Sequence, residues 1–151
     1  TAVIQIKVNA LTDKSIIDAL YDASNAGVKI LLIIRSLCCL KPGIKDLSTN
    51  IQVISVLGRF LEHHRLYHFQ YNQTDNVYLA SADVMERNLY HRIEILFPIL
   101  NDTIKHRIKK EIFDLYSKES CYRFILKKDG DYHAVGDITK SVQQELLSTY
   151  D

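Results

Sequence analysis

Apolar and polar side chains alternate through "AVIQIKV" at residues 2–8, the two-residue period of a half-buried strand. In "TDKSIIDALYDASNAGV" the period changes. Ile16, Ile17, Leu20 and Tyr21 fall at helical spacing, Thr12 or Asp13 can cap the first turn, and Gly27 supplies a left-handed stop. The continuous run "VKILLII" at 28–34 has the look of a strand covered on both faces. Strand, helix and strand joined this closely predict a βαβ unit with a right-handed crossover and a parallel sheet.

Further along, "CCLKPGIKDLSTN" reads as loop because Pro42 and Gly43 interrupt any regular element. "IQVISVL" predicts a third strand ended by Gly58, "NQTDN" a polar turn, "VYLASA" another strand, and "RIEILFPIL" a strand whose Pro98 places it at an edge or an end. From Asp102 to about Ser117, Ile104, Ile108, Ile112 and Leu115 recur every 3.6 residues opposite basic side chains, predicting an amphipathic helix with a solvated face. "CYRFILKKDGDYHAV" predicts a hairpin turning at Asp129 and Gly130, and "SVQQELLSTY" a short closing helix. The expected class is α/β: a mixed β-sheet flanked by helices, in one domain over residues 1–151. Its core spans about 1–100, with a helix and hairpin extension over about 101–151.

Length and charge narrow the function classes. At 151 residues the chain can bury one sizeable core. Nineteen Lys and Arg against eighteen Asp and Glu leave a net charge of +1, too little to draw the whole domain onto nucleic acid or an anionic membrane. Any anion must be held locally. No apolar run approaches the length of about 18 residues that a spanning helix needs, so no transmembrane segment is expected. A cytoplasmic location is expected, with peripheral association with the inner membrane left open. Three cysteines, with Cys38 and Cys39 adjacent, make no disulfide framework and read as reduced thiols. The chain opens on Thr inside a strand pattern, so a piece of a longer polypeptide is expected.

Two places carry candidate chemistry. Arg35 sits where the second strand ends, and ligands of open α/β sheets gather outside the carboxyl ends of strands. Anion binding and a plain surface ion pair both remain open for it. The stretch "GRFLEHHRLYHF", residues 58–69, holds three histidines, two arginines and a glutamate. Taken as extended, it puts His63, Arg65 and Tyr67 on one face, with His64 and His68 on the other. A guanidinium and an imidazole on one face suit phosphate chemistry: the fork binds nonbridging oxygens and the ring moves a proton near neutral pH. By itself the pattern is weak, and a half-exposed strand with a wet face explains it more simply, with no function needed. Zinc is disfavoured, because His64 and His68 would stand about 13 Å apart. Single-stranded nucleic acid on Tyr67, Phe69, Tyr71 and Arg65 would need a basic domain, which this is not.

"SADVMERNLYHR" adds Ser81, Asp83, Arg87 and Asn88 after a strand. With the histidine stretch, it resembles the half-site of the phospholipase D superfamily, H-x-K followed by a G-S-x-N turn, with Arg65 in place of the lysine and "SAD" in place of the small-residue turn. More specifically, "IKVNALTD", "LYDASNAGVKILLIIRSLCCLKPG", "NIQVISVLGRFLEHHRLYHF" and "YLASADVMERNLYHRIEI" resemble the last catalytic domain of bacterial polyphosphate kinase. That resemblance is specific from about Ile4 to Leu100 and continues, more loosely, to the end. It implies a phospholipase D-like half-domain within an ATP:polyphosphate phosphotransferase, working through a phosphohistidine in an earlier domain that this chain lacks. It implies His63 as a catalytic acid or base that also meets the nucleotide phosphates, and Arg35 as a phosphate ligand. From charge, Arg65 and Arg87 are expected along the polyanion path, supported by Ser81, Asp83 and Asn88. Mg2+ is implied by the family and the triphosphate, with no protein metal ligands expected; turn formation accounts for Asp83 and an arginine partner for Glu62. Expected partners are ATP or ADP, polyphosphate, the remaining domains of the same polypeptide and, for the full-length protein, a homo-oligomer, with no nucleic acid. The fragment alone is expected to be inactive. A binding module without turnover, or a phosphodiesterase made by self-association, are the alternatives.

Overall fold

In the computed structural model, which describes residues 2–150, the predicted βαβ unit opens the chain. β1 (Val3–Val8) leads into α1 (Lys14–Asn25) and β2 (Lys29–Ile34), and β1 pairs with β2 in parallel, Val3 opposite Lys29 through Val8 opposite Ile34. Asp13 is the N-cap of α1, its carboxylate accepting the Ile16 amide at 3.0 Å. Gly27 ends the helix at φ +88°, a backbone that side chains with a Cβ resist. β3 (Ile51–Ser55) joins β2 in parallel.

β4 (Arg65–Tyr71) then runs antiparallel beside β1, and β5 (Thr74–Ala80) folds back on β4. The turn is tighter than "NQTDN" suggests. Asn72 takes φ +52°, which asparagine tolerates better than most residues, so only Asn72 and Gln73 lie outside the ladder and β5 begins at Thr74. β6 (Leu96–Pro98) lies at the sheet's edge, as Pro98 predicts. β7 (Cys121–Leu126) and β8 (Tyr132–Val135) form the hairpin about Asp129 and Gly130, and β7 extends the sheet beside β3. The order is β6-β5-β4-β1-β2-β3-β7-β8, with β9 (Asp137–Ser141) against β7 and α5 (Val142–Leu147) closing the chain. The short helix α2 (Glu86–Tyr90) and β9 have no sequence pattern of their own.

Alternate residues of β2 feed two cores. Ile30, Leu32 and Ile34 pack with Ile6, Val8 and α1's Ile17 and Leu20, while Ile33 packs on the other face with Ile54, Leu66, Phe113, Tyr116 and Val142. The predicted helix over 102–117 covers this second face. It runs as α3 (Asp102–Ile108), a π-helical stretch Lys109–Asp114 and α4 (Leu115–Ser117). A wider π turn rotates the later side chains relative to a uniform 3.6 repeat. Phe113 and Tyr116 consequently take the deepest positions, and Ile104 is left half-exposed.

Residues 59–64 depart from the strand expectation. They form no ladder, because β1's pairing with β4 stops at Lys7 opposite Leu66. Gln143 of α5 substitutes for a neighbouring strand: its Oε1 accepts the Phe60 amide at 2.9 Å and its Nε2 donates to the Phe60 carbonyl at 2.9 Å. A Cβ on Gly58 would collide with that amide side chain. Below it lies a buried ion pair, Lys7 Nζ to Glu62 Oε2 at 2.8 Å, with Tyr116 Oη and Gln143 Nε2 donating to the same carboxylate at 2.6 and 2.8 Å. The partner of Glu62 is therefore a lysine from β1, in place of the arginine expected from sequence proximity.

Phe113→Ala is predicted to lower the unfolding free energy by about 3–5 kcal/mol and Ile104→Ala by under about 1 kcal/mol. Chemical denaturation of the two variants checks which side of the helix carries the packing.

Candidate functional site

Every predicted site residue lies around one cavity of about 510 Å³. Topology brings them there. Asn9 and Arg35 follow β1 and β2, Arg65 begins the antiparallel β4, and Ser81 and Asp83 follow β5, so all project from the same end of the sheet. The chain reverses direction between β1 and β4, which opens a crevice at the strand ends. The loops after β1, β2 and β5 are themselves laced together. Ser36 donates its amide to the Asn9 carbonyl at 2.9 Å and Leu11 to Leu37 at 2.8 Å, while Thr12 and Val84 bond at 2.8 Å and Val84 to Ala10 at 3.1 Å. The floor is thus an extension of the sheet's hydrogen bonding.

His63 and Arg65 share the cavity, while Glu62 and His64 line a separate apolar recess with Tyr116. The side-to-side alternation expected for a strand survives although 59–64 is not one. Arg65 is held from two sides. Its Nη2 lies 2.9 Å from Asp83 Oδ2, and its fork meets His63, with Nη1 at 3.2 Å from Nδ1 and Nη2 at 3.1 Å from Nε2. Asp83 does more than form a turn. It is buried, and Oδ1 accepts the Asn9 amide at 2.7 Å. Burial alone would push its carboxyl up, but the bonds from Arg65 and the Asn9 amide outweigh that and hold it below the ordinary aspartate range.

The other predicted residues divide by role. Arg87 and Asn88 stand on α2, with Arg87 exposed and Asn88 buried. Asn88 donates to Glu94 Oε1 at 2.6 Å, Ser81 bonds the same carboxylate, and Arg92 approaches it at 3.4 Å. Ser81 and Asn88 therefore organise Glu94 and the wall beyond it. Arg35 is different: it makes no ion pair among the described residues, and its Nη1 is buried without a hydrogen-bond partner. Arg65 Nε and Asn88 Oδ1 are orphaned in the same way, and all three residues line this cavity. Leaving a buried donor or acceptor unmade costs about 1–3 kcal/mol, so the unmet bonding capacity is concentrated where a ligand would enter.

Asn9, Ser36, Arg92 and Glu94 also line the cavity and were not singled out in the sequence. For Asn9 the signal was available, since it follows β1 as Arg35 follows β2. Glu94 carries none, because it reaches the wall only through the pairing of β5 with β6. The four arginines face two carboxylates here, Asp83 and Glu94, so the wall keeps a positive excess inside a nearly neutral domain. No group of three or more His, Cys, Asp or Glu is disposed to hold a metal ion among the described residues. Cys38, Cys39 and Cys121 are free thiols; Cys121 is buried and Cys39 exposed.

A sheet with a net-positive pocket at its strand ends defines the protein as an α/β domain with a cationic crevice. Residues 1–145 match the family model described as polyphosphate kinase C-terminal domain 2. The chain belongs to that family. It is 50% identical over 129 residues to the polyphosphate kinase of Bacillus cereus, covering 85% of this chain and 18% of that protein. Against the polyphosphate kinase of Burkholderia vietnamiensis it is 44% identical over 146 residues, 95% of this chain and 21% of that one. The crystal structure of polyphosphate kinase from Porphyromonas gingivalis superposes with a TM-score of 0.85 at 32% identity, over 99% of this chain and 23% of that chain. NucT from Helicobacter pylori shares the fold, with a TM-score of 0.52 at 15% identity over 89% of this chain and 82% of that one. The chain spans about a fifth of the length of the curated relatives it matches. No helix among the described residues is long and apolar enough to cross a membrane.

The lowered carboxyls set a pH dependence. Burial raises Glu62 too, but Lys7 and the bonds from Lys7, Tyr116 and Gln143 outweigh it, so its pKa also lies below the ordinary value. Groups with depressed folded pKa values stabilise fully above their unfolded values, about pH 4, and lose that contribution as pH falls through the folded values. Stability is predicted to drop between about pH 5 and pH 2, and Asp83→Asn to flatten that slope. Thermal unfolding across this range checks it.

Proposed function

We propose that residues 1–151 act as one domain that forms half of the active site of an ATP:polyphosphate phosphotransferase. Residues 1–100 hold the cavity, and 101–151 brace it from the second face of the sheet. The full-length protein moves the terminal phosphate of ATP reversibly onto polyphosphate through a phosphohistidine that lies outside this chain. The observation that carries the reading is the unpartnered, buried Nη1 of Arg35 in a cavity shared with His63. A phosphate oxygen supplies the acceptor that the protein does not.

Phosphoryl transfer needs positioning and neutralisation of charge on the equatorial oxygens more than covalent help from the protein. Arg35 supplies a fixed cation from the floor. Arg87, and to a lesser degree Arg65, whose charge is shared with Asp83, continue the cationic wall along the polyanion; Ser81 and Asn88 support it by holding Glu94. His63 is placed to give a proton to the departing phosphate oxygen and to take it back in reverse. Mg2+ enters this account bound to the triphosphate. The cavity's carboxylates do not fit a protein-held cation, because Asp83 is occupied by Arg65 and Asn9, and Glu94 by Ser81, Asn88 and Arg92.

The missing half of the site belongs to the remaining domains of the same polypeptide. On and around the edge strand β6, Tyr90, Ile93, Ile95, Leu96 and Leu100 are exposed, apolar side chains that suit a covering domain. The intact enzyme in this reading is cytoplasmic and homo-oligomeric. These exposed apolar side chains disfavour a free-standing binding module.

Arg35→Ala in the full-length protein is predicted to weaken polyphosphate and ATP binding by about tenfold or more while leaving unfolding stability unchanged or raised, since it removes an unmet buried donor. Arg107→Ala, which removes an exposed pair with Glu111, should change binding by less than about twofold. Titration calorimetry decides between them, and equal losses overturn the site. This chain alone, incubated with ATP, is predicted to acquire no acid-labile phosphate; a stoichiometric signal contradicts the assignment of the phosphohistidine to another domain.

A further inference from the structure

The contact between Arg65 and His63 has an unusual form. The in-plane lone pair and N–H of an imidazole diverge from its two nitrogens, so one planar fork cannot meet both in the ring plane. Approach along the edge between them is blocked by the carbon that joins them. Distances of 3.2 Å to Nδ1 and 3.1 Å to Nε2 therefore place the guanidinium over the face of the ring. Nη1 also donates to the His63 carbonyl at 3.3 Å, so the fork grips the residue's backbone and its ring together.

Behind Arg65 the chain of contacts is rigid. Asp83 holds Nη2 at 2.9 Å, and Asp83 is itself fixed by the Asn9 amide at the end of β1. His63 has no such support of its own. It is exposed, it lies outside the strand ladder, and its ring has no other hydrogen-bond partner among the described residues.

We propose that Arg65 is a positioning residue that acts through His63: anchored by Asp83, its guanidinium lies over the imidazole, fixes the plane of the ring and leaves both nitrogens' in-plane directions open for proton transfer. This deepens the proposed function and rests on His63 being the acid or base of the reaction. The face-on contact explains why an arginine stands two residues after the histidine. A lysine could pair with Asp83, but its ammonium has no fork to span both ring nitrogens.

A double-mutant cycle on ATP-dependent polyphosphate synthesis by the full-length protein tests this, using His63→Ala, Arg65→Lys and the pair, with folding checked by circular dichroism. Arg65→Lys keeps the charge and the Asp83 partner. It is predicted to lower kcat by about tenfold or more with KM for polyphosphate changed less than about twofold, because a small misplacement of a reacting group is expensive in rate. In the His63→Ala background the same change should have no further effect. Additive losses, or a loss confined to KM, overturn the proposal and make Arg65 a direct ligand of the polyanion. Full activity in His63→Ala overturns both the proposal and the proposed function, whereas an impaired His63→Ala with an additive cycle overturns the positioning role alone.

Discussion

The buried carboxylate of Asp83 is the contact on which the site depends. It lies where the end of β1, the start of β4 and the end of β5 converge, and it bonds to a residue of each of the first two. An aspartate in this position would be a liability if unpaired, since burial disfavours its charge. Asn9 and Arg65 remove that liability, and in doing so they fix three strand ends relative to one another. Arg65 then holds His63, so the geometry of an exposed ring traces back to a bond in the interior.

The cations of the cavity are not equivalent. Arg65 is neutralised locally and serves geometry, Arg92 leans on Glu94, and Arg35 combines an unmet buried donor with the lack of any ion pair among the described residues. That division reconciles a net charge of +1 with the polyanionic ligand proposed for the site. Four arginines against two carboxylates concentrate positive charge at this strand end. On the opposite side of the 59–64 segment, the Lys7–Glu62 pair and Gln143 hold the backbone that carries His63, so the segment is braced from both sides without being part of the sheet.

Much of this was legible in the sequence where the determinants are local. The capped helix after β1, the apolar run of β2 and the turn at Asp129 and Gly130 depend on neighbours a few residues away. All seven candidate residues reached one cavity: the rule that ligands gather at the carboxyl ends of strands pointed to Arg35, while side-chain chemistry and the family resemblance pointed to the other six. What escaped were contacts between distant positions. Gln143 replaces a strand partner for Phe60 across 83 residues, Lys7 finds Glu62, and the π turn that brings Phe113 and Tyr116 inward follows from packing against the sheet rather than from helical periodicity. Family resemblance supplied the roles of His63 and Arg35. Local chemistry alone favoured a wet strand face.

The central claim is that this domain contributes a reacting group rather than only a binding wall. The direct measurement is ATP-dependent polyphosphate synthesis by the full-length protein carrying His63→Ala, with phosphohistidine quantified alongside. The account predicts that synthesis collapses while the variant stays folded. Synthesis at the parent's rate would contradict it and move the chemistry entirely to the other domains.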